Sequence, residues 1–263
     1  MQSTLDAHPT LDTDTPPARA RGRWRLAAAT AAAIAAVVAG AVVLQPGTGP
    51  SAEAAVATAA ERLAEVASLR ADVHVEDDDE ISDITVAASG DDRQIVQQVR
   101  ARDTAETVVN RWTVVDGDEY LTQVFDGEDP VTFGPLTPSE GPAPFGEASA
   151  AVIEAALGGA DVDEIGTEEI RGVETTHYRV RLAEPGRSAL ADLPADQREW
   201  WFGLIFDDDH LADDVTLDIW TADDTIRRLA LSSANGTATT DYYDFGADIT
   251  ITPPPPPYID PTD

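Results

Sequence analysis

The chain has 263 residues, of which 43% are hydrophobic, so it can bury a core and is not disordered throughout. Its formal net charge of −32 at pH 7 argues against binding to nucleic acid and against adsorption to anionic lipid head groups. Because it contains no cysteine, the chain cannot form disulfides, thiolate metal sites or the lipid-modified N-terminus of a bacterial lipoprotein.

The N-terminus predicts a membrane anchor. Residues 1–25 are interpreted as a disordered cytoplasmic tail that ends in alternating arginines at positions 19, 21, 23 and 25. Residues 26–45 are almost entirely apolar, and as a helix they approach the roughly 30 Å of a bilayer core. Arginines stay on the cytoplasmic side, so the remainder is expected outside the cytoplasm. The alternative is a cleavable signal peptide with its cleavage site at Ala52-Glu53-Ala54, which exports the domain equally.

The exported part concentrates the negative charge. After the apolar run there are 46 acidic residues against 13 arginines, because 3 of 49 acids and 4 of 17 basic residues precede it. Such a surface suits high salt, where repulsion between like charges is screened. An acidic proteome without a salt requirement is the alternative.

Residue patterns predict the secondary structure in chain order. Residues 51–69 have helical spacing after Ser51, a suitable N-cap. Period-two alternation then predicts strands at 71–76, 81–88, 93–102, 106–115 and 119–125. Asp116-Gly117 is a strong signal for a hairpin between the last two.

The second half adds further elements. The predictions are a loop at 126–147, a helix at 148–157, strands at 165–171 and 175–182, a helical stretch within 188–204, strands at 215–221, 225–232, 237–245 and 249–252, and a polyproline II segment at 253–257. The predicted fold class is therefore α+β: one large, curved, mostly antiparallel sheet of about ten strands with helices, preceded by one transmembrane helix.

Four stretches carry a resemblance to a known family. They are VATAAERLAEVASLRADVHVE at 56–76, GTEEIRGVETTHYRVRL at 166–182, VTLDIWTADDTIRRLAL at 215–231 and TDYYDFGADITITPPP from 240. In this order they resemble the LolA-like lipoprotein-carrier superfamily, particularly actinobacterial envelope lipoproteins of the LppX/LprG type. The resemblance covers about residues 53–257, within a predicted domain of 51–257 and before a flexible tail of 258–263. It implies a half-barrel of about eleven strands whose apolar cavity binds lipids or acylated molecules. The family's lipid-modified cysteine is absent here.

Apolar side chains that share a strand or helix face are the candidate lining of such a cavity. They are Trp112, Val114, Tyr120, Val152, Ile153, Leu157, Tyr178, Val180, Trp200, Trp201, Leu217 and Ile219. Trp112 and Val114 are expected to meet Tyr120 across the Asp116-Gly117 turn. Trp200 and Trp201 are candidates for the cavity mouth. Ordinary core packing is the alternative for each of these residues.

No pattern in the sequence calls for catalysis. The acidic runs at 77–80 and 207–209 lack the spacing of an EF-hand, and His74, His177 and His210 are isolated. No serine-hydrolase elbow, phosphate-binding glycine loop or zinc-protease motif is present in the sequence. We therefore expect no enzyme, cofactor or metal.

These observations predict a single-pass membrane protein whose outer domain binds a lipid or acylated ligand. It is expected to be monomeric, to bind no nucleic acid, and to carry or present lipids or lipoglycans in the cell envelope, with a membrane transporter as a candidate partner. The alternative is a sensory or protein-interaction domain without catalysis.

Overall fold

A computed structural model describes residues 51–104, 106–126, 128–136, 145–194, 206–207, 210–211, 215–234 and 236–259. The predicted cytoplasmic tail and anchor lie outside these residues, as do Trp200 and Trp201. No helix within the described ranges combines the length and the apolar content needed to cross a bilayer.

The described residues form three helices and thirteen strands. The helices are α1 (Ala52–Ala64), α2 (Phe145–Ala156) and α3 (Glu184–Ala191). The strands are β1 (Ser68–Asp77), β2 (Glu80–Ser89), β3 (Asp92–Ala101), β4 (Thr107–Val115), β5 (Asp118–Phe125), β6 (Val131–Leu136), β7 (Asp161–Ile170), β8 (Val173–Arg181), β9 (Phe206–Asp207), β10 (His210–Leu211), β11 (Thr216–Ala222), β12 (Thr225–Ser233) and β13 (Gly236–Tyr243).

Eleven of the strands form one antiparallel sheet, which confirms the predicted α+β class. Their order is β6-β5-β4-β3-β2-β1-β13-β12-β11-β8-β7, and β9 and β10 form a separate ribbon. Strand β13 joins the two parts of the sheet by pairing with β1 on one side and β12 on the other. The sheet is therefore two meanders joined through the last strand of the chain.

The hairpin between β4 and β5 turns where the sequence predicts it. Asp116 and Gly117 have φ values of 54° and 84°, which a type I′ turn requires at both central positions. Asp residues tolerate this conformation and glycine adopts it without strain. The turn sets the register of the whole β4–β5 pair.

Helix α1 is shorter than predicted. Ser51 caps it, its side-chain oxygen accepting a hydrogen bond of 3.2 Å from the backbone N–H of Ala54. The helix ends at Ala64 because Ser68 and Leu69, predicted to be helical, already pair with Ser89 and Ala88 of β2.

Helix α1 packs on one sheet face, mainly over β7, β11 and β12, while α2 packs against α1 and α3 packs against α2 and β10. Two glycines permit the close helix contacts. A Cβ on Gly146 would lie 2.6 Å from the Leu63 carbonyl oxygen, and one on Gly186 would lie 2.8 Å from that of Ala156. Larger residues at these positions would push the helices apart.

Three other predictions require correction. The predicted loop at 126–147 contains β6, and α2 begins within it at Phe145. Strand β7 begins at Asp161 rather than residue 165. Helix α3 at Glu184–Ala191 was not predicted as such, and most of the helical stretch predicted within 188–204 lies outside the described residues. Residues 249–252 form no strand, although Ile249 is buried.

Residues 244–259, called here the C-terminal strap, run from β13 towards the far edge of the sheet. Near β1, the Ser68 hydroxyl donates to the Ala247 carbonyl at 2.8 Å. At β6, the backbone N–H of Ile259 donates to the Thr132 carbonyl at 2.8 Å. The sequence predicts a flexible tail from residue 258, whereas Ile259 forms a parallel bridge with Phe133. The strap thus covers part of the edge strand β6.

Candidate functional site

The sheet has an inner face, which carries the helices, and an outer face. Directly paired residues on neighbouring strands share a face, so the register assigns each side chain. Ala71, Val86 and Ile95 are paired in succession and belong to the same buried core as Val56 and Leu63 of α1. Their row marks the inner face from β1 through β3.

Most of the predicted lining residues lie in the packed core that the helices and the sheet form together. Tyr178 and Leu157 are 7% and 9% exposed, and the remaining five are fully buried. These seven are Val152, Ile153, Leu157, Tyr178, Val180, Leu217 and Ile219. The predicted pairing of Tyr178 and Val180 on one face, opposite Arg179, is confirmed by their registers with Ile219 and Leu217.

The other half of the inner face, on β3 to β6, carries apolar side chains that remain partly exposed. One row, called here the first apolar band, contains Ile95, Trp112, Leu121 and Phe133. A second apolar band contains Val99, Val108 and Phe125. Ile95 is buried, but the other members are only partly covered, and Phe125 is 44% exposed.

Between the two apolar bands lies a row of side-chain amides, called here the amide row. It consists of Gln97, Asn110 and Gln123, which are paired in succession across β3, β4 and β5. The Gln123 amide donates to the Asn110 side-chain oxygen at 2.9 Å, and the Gln97 amide donates to the Ser82 hydroxyl at 3.1 Å. A polar row thus crosses an otherwise apolar surface.

The prediction that Trp112 and Val114 meet Tyr120 is wrong. Trp112 pairs with Leu121 and Val114 with Glu119, so both tryptophan and valine face inward. Tyr120 pairs with Thr113 on the outer face, where its ring lies 5.2 Å from that of Tyr258 in the strap. Successive residues of a strand face opposite sides of the sheet. Tyr120 directly precedes Leu121, the partner of Trp112, and therefore faces away from Trp112.

Charged groups occur at the rim of the inner face. Arg93 and Glu119 lie in the row beyond the first apolar band, each opposite Val114. Burial lowers the pKa of the Arg93 guanidinium, and the negative charges of Glu119 and Asp91 partly offset this effect. The rim therefore holds opposite charges rather than a charge of one sign.

The outer face carries ion pairs on β8 and β11 to β13, whereas on β3 to β5 it also carries Val96, Val109 and Val124. Arg228 makes a two-point contact with Asp241, and Arg179 makes another with Asp218 at 2.9 and 3.2 Å. An open depression of about 550 Å³ includes Asp72, Asp83 and Arg228 in its lining. Seven of its nine lining residues are polar or charged.

Metal and catalytic sites find no support in the described part of the chain. No group of three or more histidine or acidic side chains there could hold a metal ion. His177 lies 2.8 Å from Asp218 and its ring stacks on Trp220 at 4.2 Å, so both its ring face and its Nε2 are engaged structurally.

Comparisons with known proteins yield similar structures only. No protein-family model matches the chain, and no curated protein sequence matches it. The lipoprotein LppX of Mycobacterium tuberculosis is 14% identical, with a TM-score of 0.47 over 78% of this chain and 100% of LppX. LprF from Mycobacterium bovis is also 14% identical, with a TM-score of 0.47 over 78% of this chain and 98% of LprF.

A more distant similarity is to the MucA/MucB complex of Pseudomonas aeruginosa, at 10% identity and a TM-score of 0.32 over 73% of this chain and 56% of the matched chain. The resemblance to LppX-type lipoproteins predicted from the sequence is confirmed, since LppX and LprF are among the similar structures. At TM-scores below 0.5 these likenesses carry no information about the ligand or role of this chain.

Sequence reasoning missed the residues that dominate the open half of the inner face. Ile95, Gln97 and Val99 alternate along β3, and the register imposed by Asp116-Gly117 pairs Trp112 with Leu121. Both signals are visible in the sequence. Phe133 could not be found, because its strand was predicted to be a loop.

Proposed function

We propose that the domain binds a lipid or another acylated molecule on the open half of its inner sheet face, outside the cytoplasm, with the chain anchored in the membrane by residues 26–45. The observation that carries this proposal is the pair of apolar bands on β3 to β6, most of whose side chains stay partly exposed, while α1 packs mainly over β7, β11 and β12. An exposed apolar surface of this kind favours the binding of a partner that removes it from water.

Burial of apolar area supplies the binding energy. Each square ångström removed from water contributes about 25 cal/mol, so an acyl chain lying across both bands would be held without any specific bond. Neighbouring rows on this face are two residues apart on each strand, or roughly 7 Å, so the two bands lie roughly 13 Å apart with the amide row between them. Binding and presentation of such a ligand require no chemistry from the protein.

The location follows from the charge pattern at the N-terminus. Four arginines before the apolar run favour a cytoplasmic N-terminus and an exported domain. The strongly acidic domain would be repelled by anionic head groups, so an anchor is a better means of staying at the membrane than adsorption. In this position the domain could receive a lipid from, or pass it to, a transporter in the same membrane.

Native mass spectrometry of the exported domain, purified from its own host, tests the proposal. A co-purified lipid mass, or stoichiometric uptake of added lipid, would support it. Repeated recovery of empty protein that takes up no lipid would contradict it, and would favour the alternative of a protein-interaction domain.

A matched pair of variants locates the site. Val99→Glu places a charge on the second apolar band, whereas Gln98→Glu places the same charge on the outer face one residue away. We expect the first to reduce lipid uptake at least about tenfold, because a carboxylate would have to be desolvated beneath the ligand. The second should leave uptake unchanged. Equal uptake by both folded variants would place the site elsewhere.

A further inference from the structure

We propose that the amide row is a polar subsite that selects an uncharged ligand carrying ester, amide or hydroxyl groups between two apolar portions. This inference rests on the proposed function and adds the chemistry of the ligand. The observation behind it is that three amide side chains occupy inner-face positions where apolar residues would complete a continuous hydrophobic surface.

The amides satisfy only part of their hydrogen-bonding capacity among themselves. One bond joins Gln123 to Asn110 and another joins Gln97 to Ser82. Within the described residues, the remaining oxygen of Gln97, the amide nitrogen of Asn110 and the oxygen of Gln123 have no hydrogen-bond partner. All three residues are partly exposed, so these atoms are accessible from the inner face.

The free atoms offer both donors and acceptors. The Asn110 nitrogen can donate to an ester or amide carbonyl, and the Gln97 and Gln123 oxygens can accept from a hydroxyl. A pure hydrocarbon lying on the bands would desolvate these atoms without replacing their bonds to water, which costs binding energy. A ligand with matching polar groups avoids that cost.

The position of the row sets where the polar group lies in the ligand. The first apolar band is on one side and the second on the other, each roughly 7 Å away along the strands. The matching ligand therefore has apolar portions on both sides of its polar group, as a diacylglycerol has when its two acyl chains extend in opposite directions.

Electrostatics favour an uncharged group. The amides carry no net charge, and the nearest charged pair on this face, Arg93 with Glu119, combines opposite signs. A phosphate or carboxylate at the row would lose its hydration and meet only neutral amides among the described side chains of the row, within a chain of net charge −32.

A competition experiment tests the subsite. The exported domain is incubated with an equimolar mixture of dioleoylglycerol, phosphatidylglycerol with the same acyl chains, and squalene, all delivered in a neutral detergent, and the bound masses are compared by native mass spectrometry. We expect dioleoylglycerol to be bound at least about tenfold more than either competitor, which corresponds to one or two net hydrogen bonds.

The triple variant Gln97→Met, Asn110→Leu, Gln123→Met should bind dioleoylglycerol and squalene within about twofold of each other, because only the apolar contribution remains. Gln98→Met, on the outer face of the same strand, is the matched control and should keep the wild-type preference. Circular dichroism checks the fold of each variant, and Asn110→Leu alone serves if the triple variant does not fold.

The outcomes separate this inference from the proposed function. If the wild-type protein binds all three probes equally, or prefers the anionic lipid, the subsite is wrong while lipid binding stands. If the folded triple variant keeps the wild-type preference, the amides have only a structural role and the subsite is likewise wrong. If no probe binds, both the proposed function and the subsite are wrong.

Discussion

Arg171 donates a hydrogen bond of 3.0 Å to the Asp72 carboxylate, although 99 residues separate them in the chain. Arg171 lies in the turn between β7 and β8, and three strands stand between β8 and β1 in the sheet. A flat sheet would place those strands about 19 Å apart. The contact therefore requires the sheet to curve so that the tip of this hairpin reaches over the outer face, where the arginine also stacks at 3.9 Å on Tyr243.

Loss of this ion pair should weaken the protein only slightly. The two side chains are 40% and 44% exposed, so water screens their attraction. We expect Arg171→Ala to lower the free energy of unfolding by less than about 1 kcal/mol in urea denaturation. Hydrogen exchange should accelerate at the hairpin tip and not elsewhere. A loss above about 2 kcal/mol, or uniform acceleration, would show that the pair stabilises the whole sheet.

Asp218 should contribute more, because it is 9% exposed and has several partners. His177 and Arg179 both donate to its carboxylate, at 2.8 and 2.9 Å, and this contact raises the pKa of Arg179. We expect Asp218→Ala to cost about 1–3 kcal/mol of unfolding free energy, since the largely covered side chain of His177 loses its partner. Asp163→Ala removes a more exposed pair with Arg181 and is the control, with an expected loss below about 1 kcal/mol. Equal losses in the two variants would contradict this ranking.

Tyr242 should make the protein sensitive to alkali. Its side chain is 1% exposed and packs with its ring 6.0 Å from that of Phe145. Burial raises its pKa in the folded state above the usual value of about 10. Above pH 10 the unfolded chain therefore loses this proton while the folded protein keeps it, and stability falls as pH rises. The loss from this group at pH 11 should be about 1.4 kcal/mol.

The variant Tyr242→Phe isolates this effect. The chain has no lysine or cysteine, so few other groups titrate between pH 9 and pH 11. We expect the variant to lose less stability than the wild-type protein between pH 8 and pH 11 in urea denaturation. Identical pH dependence of Tyr242→Phe and wild type would mean that the folded tyrosine ionises normally.

The C-terminal strap should protect the edge strand β6. The Tyr258 ring packs at a tilt against the Tyr120 ring, and the next residue exchanges hydrogen bonds with Thr132 and Gly134. We expect Tyr258→Ala to cost about 0.5–1.5 kcal/mol and to speed hydrogen exchange at the Gly134 amide. Exposure of a free edge should also promote self-association at high protein concentration. The control is Pro255→Ala, at an exposed position of the same strap. It should change neither the stability, nor the hydrogen exchange at Gly134, nor the self-association of the protein.

Much of the sheet could be predicted from local patterns. Alternation in β2 to β5 and the Asp116-Gly117 turn gave strand ends within one residue of those observed. Strand β6 was missed because Pro130, Pro135 and Gly134 within and beside it resemble a loop. An edge strand tolerates proline, since one side of its backbone has no neighbouring strand to bond. The pattern therefore could not separate an edge strand from a loop.

The candidate site shows a different limit. Period-two patterns identify which residues share a face, as they did for Tyr178 and Val180. They do not tell which half of a face is covered by helices, so Leu217 and Ile219 were as plausible as Trp112. Only the packing of α1 over β7, β11 and β12 separates buried core from open surface.

The sequence by itself determined the fold class, the hairpin at Asp116-Gly117, the exclusion of cysteine chemistry and the strongly acidic character, because these depend on composition and on neighbours in the chain. The tertiary structure alone decided the strand order through β13, the alignment of Gln97, Asn110 and Gln123 in one row, and the position of the strap on β6. Those features arise from contacts between residues far apart in sequence, whose register depends on the whole sheet and on the helices that cover half of it.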